Sequence, residues 1–474
     1  MMSMYLARKG LKVNLIEKRP DARLQKKNVG RSINLTLASR ALAALDELGI
    51  KDLILKHTVP LKGRLIHKAN GQTEFQPYGK APRDKIYSIS RATLNNLLLD
   101  HSGTFENIDL RFNTTCTDIY KCKRQIHLMD NLSRETIIQE PDMVVGADGC
   151  FSTVSAKMHM GEISSRRQER HNWGYKELTF PADSQGNPCM QDDVLHVWPR
   201  GSSLLLAMPN NDGSFTGTLC MPVIGEASFD KLAEKSALEN YCKKEFRDLH
   251  EFIPHMVNGL SSVKVSAFMS TSVSPWFYDD WIVLLGDACH TVLPFYGQGM
   301  NATFEDCSAL EKMITDNNSR KNAFKAYETE RKRNTDALTE LSEKNFVELR
   351  DSIQSPFPGY KKKLDYFLHH IFEDRWQPIY TLVAQSTIPY ADCVKIAEKQ
   401  NKILKWSGVD FILWVCSMLI RPVHKIKRKK LKPVVQASRS EPNYIKENKN
   451  IDLSKNVQNK EQIKSLDVTT DEVI

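Results

Sequence analysis

The stretch GDACHTVLPFYGQGMNATFEDC, residues 286–307, limits the fold of this chain more than any other segment. It follows the apolar run Trp281-Ile282-Val283-Leu284-Leu285 and leads into Leu310, Met313 and Ile314 at helical spacing. An apolar run closed by Gly-Asp predicts a buried strand, and the Pro294 region a loop. The helix is then entered through Gly297-Gln298-Gly299. An aspartate just past a buried strand can accept hydrogen bonds from a polyol. The two glycines let backbone approach a flat ring, and the helix start offers free N–H groups and positive potential. Residues 297–302 formally fit GxGxxA, the fingerprint of a nicotinamide dinucleotide loop. That fingerprint requires its glycines in the tight turn directly after the strand, whereas here a long proline-containing loop intervenes. A ring with partial negative charge at a pyrimidine edge, as in reduced flavin, suits the helix mouth better.

The rest of the chain fits an α/β frame. Residues 1–9 read as the end of a helix closed by Gly10, and residues 11–19 as a strand with Glu17 at its carboxyl end. An Ala/Leu-rich helix is expected over residues 38–48, stopped by Gly49, and strands over 61–78 turn at Asn70-Gly71. Residues 142–149, DMVVGADG, read as a second buried strand. From about 160 to 280, short β-like runs punctuated by Pro, Gly and Asn predict an inserted antiparallel sheet. Residues 301–350 and 360–404 carry helical periodicity. After Pro433 the chain is polar and poor in aromatics, which predicts disorder.

Composition excludes several functions. The 474 residues, 41% apolar, can build two to four domains. Ten cysteines without a CxxC pair argue against a disulfide scaffold or zinc site, and the thirteen histidines form no ligand pattern. The net charge of +9 is concentrated at residues 425–432, KIKRKKLK. This run follows the apolar residues 406–420, WSGVDFILWVCSMLI, a span of roughly 22 Å as helix against the ~30 Å hydrocarbon core. An apolar segment with a basic flank predicts attachment to an anionic membrane surface, lying on it or as a short tilted span. Nucleic acid is not indicated, since no aromatic-interleaved basic groove is visible.

Residues 286–306 resemble the second FAD-binding motif of the aromatic-ring flavin hydroxylases, GD…P…GQG.N…ED, and MVVGADGCFSTV, residues 143–154, resembles their middle motif, D-G-x-x-S-x-V. Ser155 stands where many members carry a basic residue, and Cys289 where alanine is usual. The resemblance implies a Rossmann-like FAD-binding domain with an inserted antiparallel β-sheet substrate domain and a carboxyl-terminal helical region. The implied divisions are 1–160 and 281–330 for FAD, 161–280 for the sheet, 331–404 for helices completing the pocket, 405–432 for membrane attachment, and 433–474 for the tail.

Together GRSINLTLASR, PYG, SISR, LHVWPR and VLPFYGQGMNATFEDC are similar to the kynurenine-hydroxylating branch of that family. That resemblance implies FAD, NADPH as a transient reductant, and transfer of one oxygen atom of O2 to L-kynurenine through a flavin hydroperoxide, giving 3-hydroxykynurenine. It further implies attachment to the mitochondrial outer membrane. By the same resemblance Glu17, Arg19, Arg91, Asp287, Met300 and Asn301 contact FAD. Arg64 and Tyr78 hold the substrate carboxylate, and Asn345 and Tyr380 make its other polar contacts. No side chain is implied as catalytic, because the flavin carries the chemistry. His290 reads as structural, and Glu305 and Asp306 as complements to the helix dipole.

The family opens with a strand and a GxGxxG turn that cradles the FAD pyrophosphate, and this sequence contains no GxGxxG. The resemblance therefore implies an amino-terminally truncated form that holds FAD poorly or not at all.

Overall fold

A computed structural model describes residues 1–25, 33–79, 84–351, 357–372 and 375–408. The strand expected ahead of the Gly-Asp turn is Ile282–Leu284, and all three residues are fully buried. It pairs in parallel with Val144–Gly146, the strand of the middle motif. Val13–Ile16 pairs in parallel with Ile108–Arg111. The apolar, β-branched character of Ile282–Leu284 suits a strand covered on both faces. Among the described residues these parallel strands lie in two short sheets. The middle motif is explained by a cap: Asp148 accepts from Ser152 Oγ and from the Val154 N–H (3.1 Å), while Ser152 Oγ accepts from the Ser155 N–H at 2.8 Å. These contacts satisfy donors at the start of helix Thr153–His159.

The largest sheet has seven strands. In spatial order they are Ser266–Ser274, Ser165–Phe180, Phe215–Pro222, Leu204–Pro209, Val194–Pro199, Gly63–His67 and Thr73–Pro77. The expectation of an inserted antiparallel sheet over 161–280 needs two amendments. The hairpin that turns at Asn70-Gly71 joins this sheet from outside that range, and its first strand runs parallel to Val194–Pro199 with Arg64 opposite Leu195. Helices Lys235–Glu245 and Ile253–Ser262 pack on one face, burying Leu238, Cys242, Met256, Val257 and Leu260 with Leu178, Phe180, Trp198 and Phe215. Strand pairing puts Arg64 in the same sheet as these residues, while its guanidinium meets Tyr380 of helix Ile379–Gln385.

Helix Gly299–Asp316 packs against helices Ser39–Glu47 and Arg320–Asp351. The contact is built around charge. Asp306 is fully buried and accepts from Arg331 Nε (2.7 Å), with His290 Nε2 at 2.6 Å. Glu305 bridges Arg331 and Arg40, each at 2.7 Å. Arg40 also lies 3.9 Å from the Tyr390 ring centroid and donates to the Ile388 carbonyl. Glu305 and Asp306 thus bind three helices together, which is more than the dipole role expected of them. Against the cost of burial, His290 and Arg331 hold the Asp306 carboxyl below its ordinary range.

No helix among the described residues is long and apolar enough to cross a membrane. The segment 406–420 leaves the described residues after Gly408, and the basic run and tail lie wholly outside them.

Asp306→Ala leaves Arg331 Nε and His290 Nε2 buried without their acceptor. It is expected to lower unfolding free energy by about 3–5 kcal/mol, read by urea denaturation, while the exposed-face change Glu340→Ala costs less than about 0.5 kcal/mol.

Candidate functional site

The loop after Ile282–Leu284 forms one wall of a cleft. Gly286 has φ +59°, and a Cβ there would meet Thr303 Cγ2 at 2.7 Å. Asp287 follows in a short 3-10 turn and is half-buried. Its carboxylate accepts no hydrogen bond from the described residues. Burial pushes its pKa up to about 7, with the opposing pull of His290 and Arg91 insufficient to restore the ordinary value. A half-buried acceptor without a donor among the described residues fits a ligand hydroxyl.

Beyond the 3-10 turn Pro294–Tyr296, Gly297 adopts φ +67°. A Cβ on it would lie 2.7 Å from Thr36 Oγ1, which itself donates to the Gly297 carbonyl at 2.9 Å. Helix Gly299–Asp316 begins without a side-chain cap, which leaves its first N–H groups available to a ligand. Asn301 is fully buried and its amide is spent on the protein. Oδ1 accepts from the Ala38 N–H (2.7 Å), and Nδ2 donates to the carbonyls of Thr36 (2.7 Å) and Gly297 (3.0 Å). The side chain fixes the helix mouth against strand Asn34–Leu37; Met300, beside it, is half-buried against the core.

The other residues expected at the cofactor come from two chain segments. Glu17, past strand Val13–Ile16, turns back so that Oε1 accepts the Arg19 N–H at 2.9 Å. Arg91 opens helix Arg91–Ser102. Burial, then the like charge of Arg19, holds its guanidinium below the ordinary value, and Asp287 opposes them. Arg19, Arg91 and Asp287, distant in sequence, therefore share one electrostatic environment. The carboxylate acceptor, the close backbone at Gly297 and the open helix start fit the polyol and ring of a flavin.

The same loop lines a second space. Arg64 lies with its Cζ 4.3 Å from the Tyr380 ring centroid and 5.8 Å from that of Tyr78. Tyr78 and Tyr380 stack at 5.3 Å, and Tyr296 approaches Tyr380 at 5.6 Å. Arg64 Nε and the Tyr78 hydroxyl are buried without hydrogen-bond partners. Among the described residues no carboxylate pairs with Arg64. Tyr366 from helix Phe357–Phe372 is within electrostatic reach. Burial pushes its phenol up to about 12, against the influence of Arg64. Asn345 is buried and donates to the Phe295 carbonyl at 2.7 Å, tying helix Arg320–Asp351 to the loop.

Sequence reasoning overlooked the aromatic wall. Phe295 stacks on Phe346 at 4.4 Å, with Trp173 edge-on to Phe346 at 5.0 Å and Phe268 edge-on to Phe295 at 5.1 Å. Phe346, next to Asn345, carried a local signal. Trp173 and Phe268 carried none, because only the pairing of their strands brings them to the loop.

Comparison with known proteins agrees with this fold. The FAD binding domain family matches residues 1–342. The chain is 38% identical over 414 residues to the kynurenine 3-monooxygenase of Salinispora arenicola (strain CNS-205), covering 87% of this chain and 91% of the relative. It is 35% identical over 417 residues to that of Dictyostelium discoideum, covering 85% and 89%. Among solved structures, 2-methyl-3-hydroxypyridine-5-carboxylic acid oxygenase superposes with a TM-score of 0.61 at 18% identity, over 75% of this chain and 90% of the other. PqsL of P. aeruginosa, in complex with 2-aminobenzoylacetate, gives 0.60 at 18%, over 74% and 93%. With a matching family profile over most of its length and an α/β hydroxylase fold, this chain belongs to the FAD-binding monooxygenase family.

Proposed function

We propose that this protein hydroxylates L-kynurenine at the 3-position, using O2 and NADPH. The observation that carries the reading is the Arg64 guanidinium. It is held between phenols with a buried, unpartnered Nε and no carboxylate among the described residues. A cation kept without a counterion destabilises the empty protein, and a substrate carboxylate would supply the missing charge. The relatives named for kynurenine 3-monooxygenase support the choice of amino acid.

Each group has a task in this reading. Arg64 grips the carboxylate, and the orphaned Tyr78 hydroxyl donates to it. Tyr380 walls the guanidinium so that the fork keeps one orientation. Asn345 holds the Phe295 carbonyl and thereby the loop that separates substrate from cofactor. Phe295, Phe346, Trp173 and Phe268 keep water from the aromatic ring. FAD, when bound, would supply the activation of O2; Asp287 and the start of helix Gly299–Asp316 are the groups that would hold it. The reading includes attachment to the mitochondrial outer membrane through residues 405–432, supported by the apolar run and basic flank alone.

The test is 3-hydroxykynurenine formation by the flavin-loaded protein with NADPH. Arg64→Met is expected to raise KM for L-kynurenine about 10- to 100-fold, the worth of a charge-assisted pair. The same change should stabilise the ligand-free protein by about 1 kcal/mol, measured by denaturant midpoint. Unchanged KM would assign the site to another aromatic substrate. Asp287 supplies a pH test. Its folded value lies above the unfolded one, so ionisation destabilises the empty cleft progressively from about pH 4 to 7. A polyol donor favours the ionised acceptor. Flavin affinity should therefore rise from pH 6 to 8 and level off, and Asp287→Asn should remove that rise, read by flavin absorbance after gel filtration.

A further inference from the structure

The strand that carries Arg64 is held at its far end by two histidines. His67 closes Gly63–His67, and its Nε2 lies 2.9 Å from His196 Nδ1 on the adjacent strand Val194–Pro199. His67 Nδ1 faces Asp248 Oδ2 at 3.2 Å, an oxygen that also accepts from Trp198 Nε1 at 2.6 Å. At the opposite end His196 Nε2 lies 2.8 Å from the Gln191 carbonyl. The rings are enclosed: His67 stacks on Trp198 at 4.2 Å, and His196, 2% exposed, meets the edge of Phe215 at 5.6 Å.

Counting protons along this chain gives an odd number. There are three gaps: carboxylate to imidazole, imidazole to imidazole, and imidazole to carbonyl. Each is attractive only with one proton in it, because a ring lone pair facing an oxygen acceptor repels. Two neutral imidazoles bring two protons. We propose that His67 and His196 together hold a third, carry one net positive charge, and act as a one-proton latch that positions the strand bearing Arg64.

The surrounding charges are compatible with one extra proton and oppose a second. Asp248 provides the countercharge. Burial pushes its carboxyl up, and the bonds from His67 and Trp198 overcome that push and hold it below its ordinary value. Arg200 approaches Asp248 at 3.7 Å and competes for it, while its Nη1 donates to the His67 carbonyl (2.8 Å) and its Nε to that of Glu245 (2.5 Å). Glu245 offers further negative charge to Arg200 and pairs with Lys244 at 3.6 Å, and Tyr241 lies within reach of the same guanidinium. Lys68, next in sequence, is occupied by Glu74 at 2.6 Å. Burial holds His196 down to about 4, with the Gln191 bond opposing and His67 adding to the depression, so the pair does not accept a fourth proton at neutral pH.

When the third proton leaves, one of the three gaps becomes repulsive, and the chain from Asp248 through His67 and His196 to the Gln191 carbonyl opens at that point. That moves the end of a five-residue strand in which Arg64 sits three residues earlier. The ordering is complete at low pH and is lost as pH rises through the titration of the pair, since the folded state holds a proton that the neutral unfolded chain does not. The consequence for substrate rests on the reading of Arg64 as a carboxylate site; the proton count does not.

The experiment uses the full flavin-loaded chain labelled with 15N-histidine. Ring nitrogens of His67 and His196, assigned by single substitution, are followed from pH 5.5 to 9. Three protonated nitrogens that fall to two in one step are expected, and two throughout would overturn the proposal. In parallel, the Kd of L-kynurenine should weaken about fivefold across that step, the worth of one hydrogen bond. In the double variant His67→Gln/His196→Gln the profile should be flat. Asp248→Asn, which retains an acceptor without the charge, should move the step to lower pH. A wild-type profile retained in both variants sinks the latch. If kynurenine binds at no pH, the carboxylate reading fails and the nitrogen count alone decides the latch.

Discussion

A carboxylate sealed from water between a guanidinium and an imidazole cannot tolerate the loss of a neighbour, and the helix mouth of this protein is built on such a carboxylate. Asp306 is wholly buried, and its two oxygens are divided between Arg331 and His290. Glu305 carries the same network to Arg40 and so to the segment preceding the last described helix. Ion pairs of this kind add little net stability over a packed apolar contact, yet they fix relative position because no substitute geometry satisfies every member. Position is what the site requires, since the turn that ends in Asp287 and the helix that begins at Gly299 must face one ligand from two directions.

Arg64 shows the opposite arrangement with the same type of side chain. Arg331 and Arg40 have their carboxylates supplied by the fold, whereas Arg64 has only the faces of Tyr380 and Tyr78. Cation–π contact offsets part of the desolvation but leaves Nε without an acceptor. The contrast separates these arginines by one criterion, the presence of a resident anion among the described residues.

The loop from Pro294 to Gly299 connects the two regions. Phe295 and Tyr296 turn toward the aromatic pocket, while Gly297 and Gln298 are fixed to the helix mouth through Thr36, Asn301 and Tyr390. Asn345 holds the Phe295 carbonyl from behind. The aromatic pocket and the helix mouth are thus joined by six residues of backbone held by buried amides, Asn301 with its oxygen and its amino group both engaged and Asn345 with one N–H on the Phe295 carbonyl.

Local pattern was sufficient for much of this. The apolar run before Gly286 and the glycine turns at Gly10 and Gly297 are short-range features, since each depends on residues within a turn or a strand of one another. The helix stop at Gly49 and the hairpin at Asn70-Gly71 were legible for the same reason. Membership of the hairpin in the seven-stranded sheet was not legible, because strand pairing is decided by which edges meet after the chain has folded. The same holds for the site. Sequence alone determined which residue types could bind a flavin and a carboxylate, and in what order they occur. Only tertiary structure decided that Arg64 would be left without an anion, that Asp306 would be given two partners, and that Trp173 and Phe268 would complete the wall. Charge compensation and burial are properties of neighbours in space: Asp306 draws its partners from 16 and 25 residues away, and the contacts of Arg64 with Tyr380 and of Trp173 with Phe346 join segments far apart in the chain.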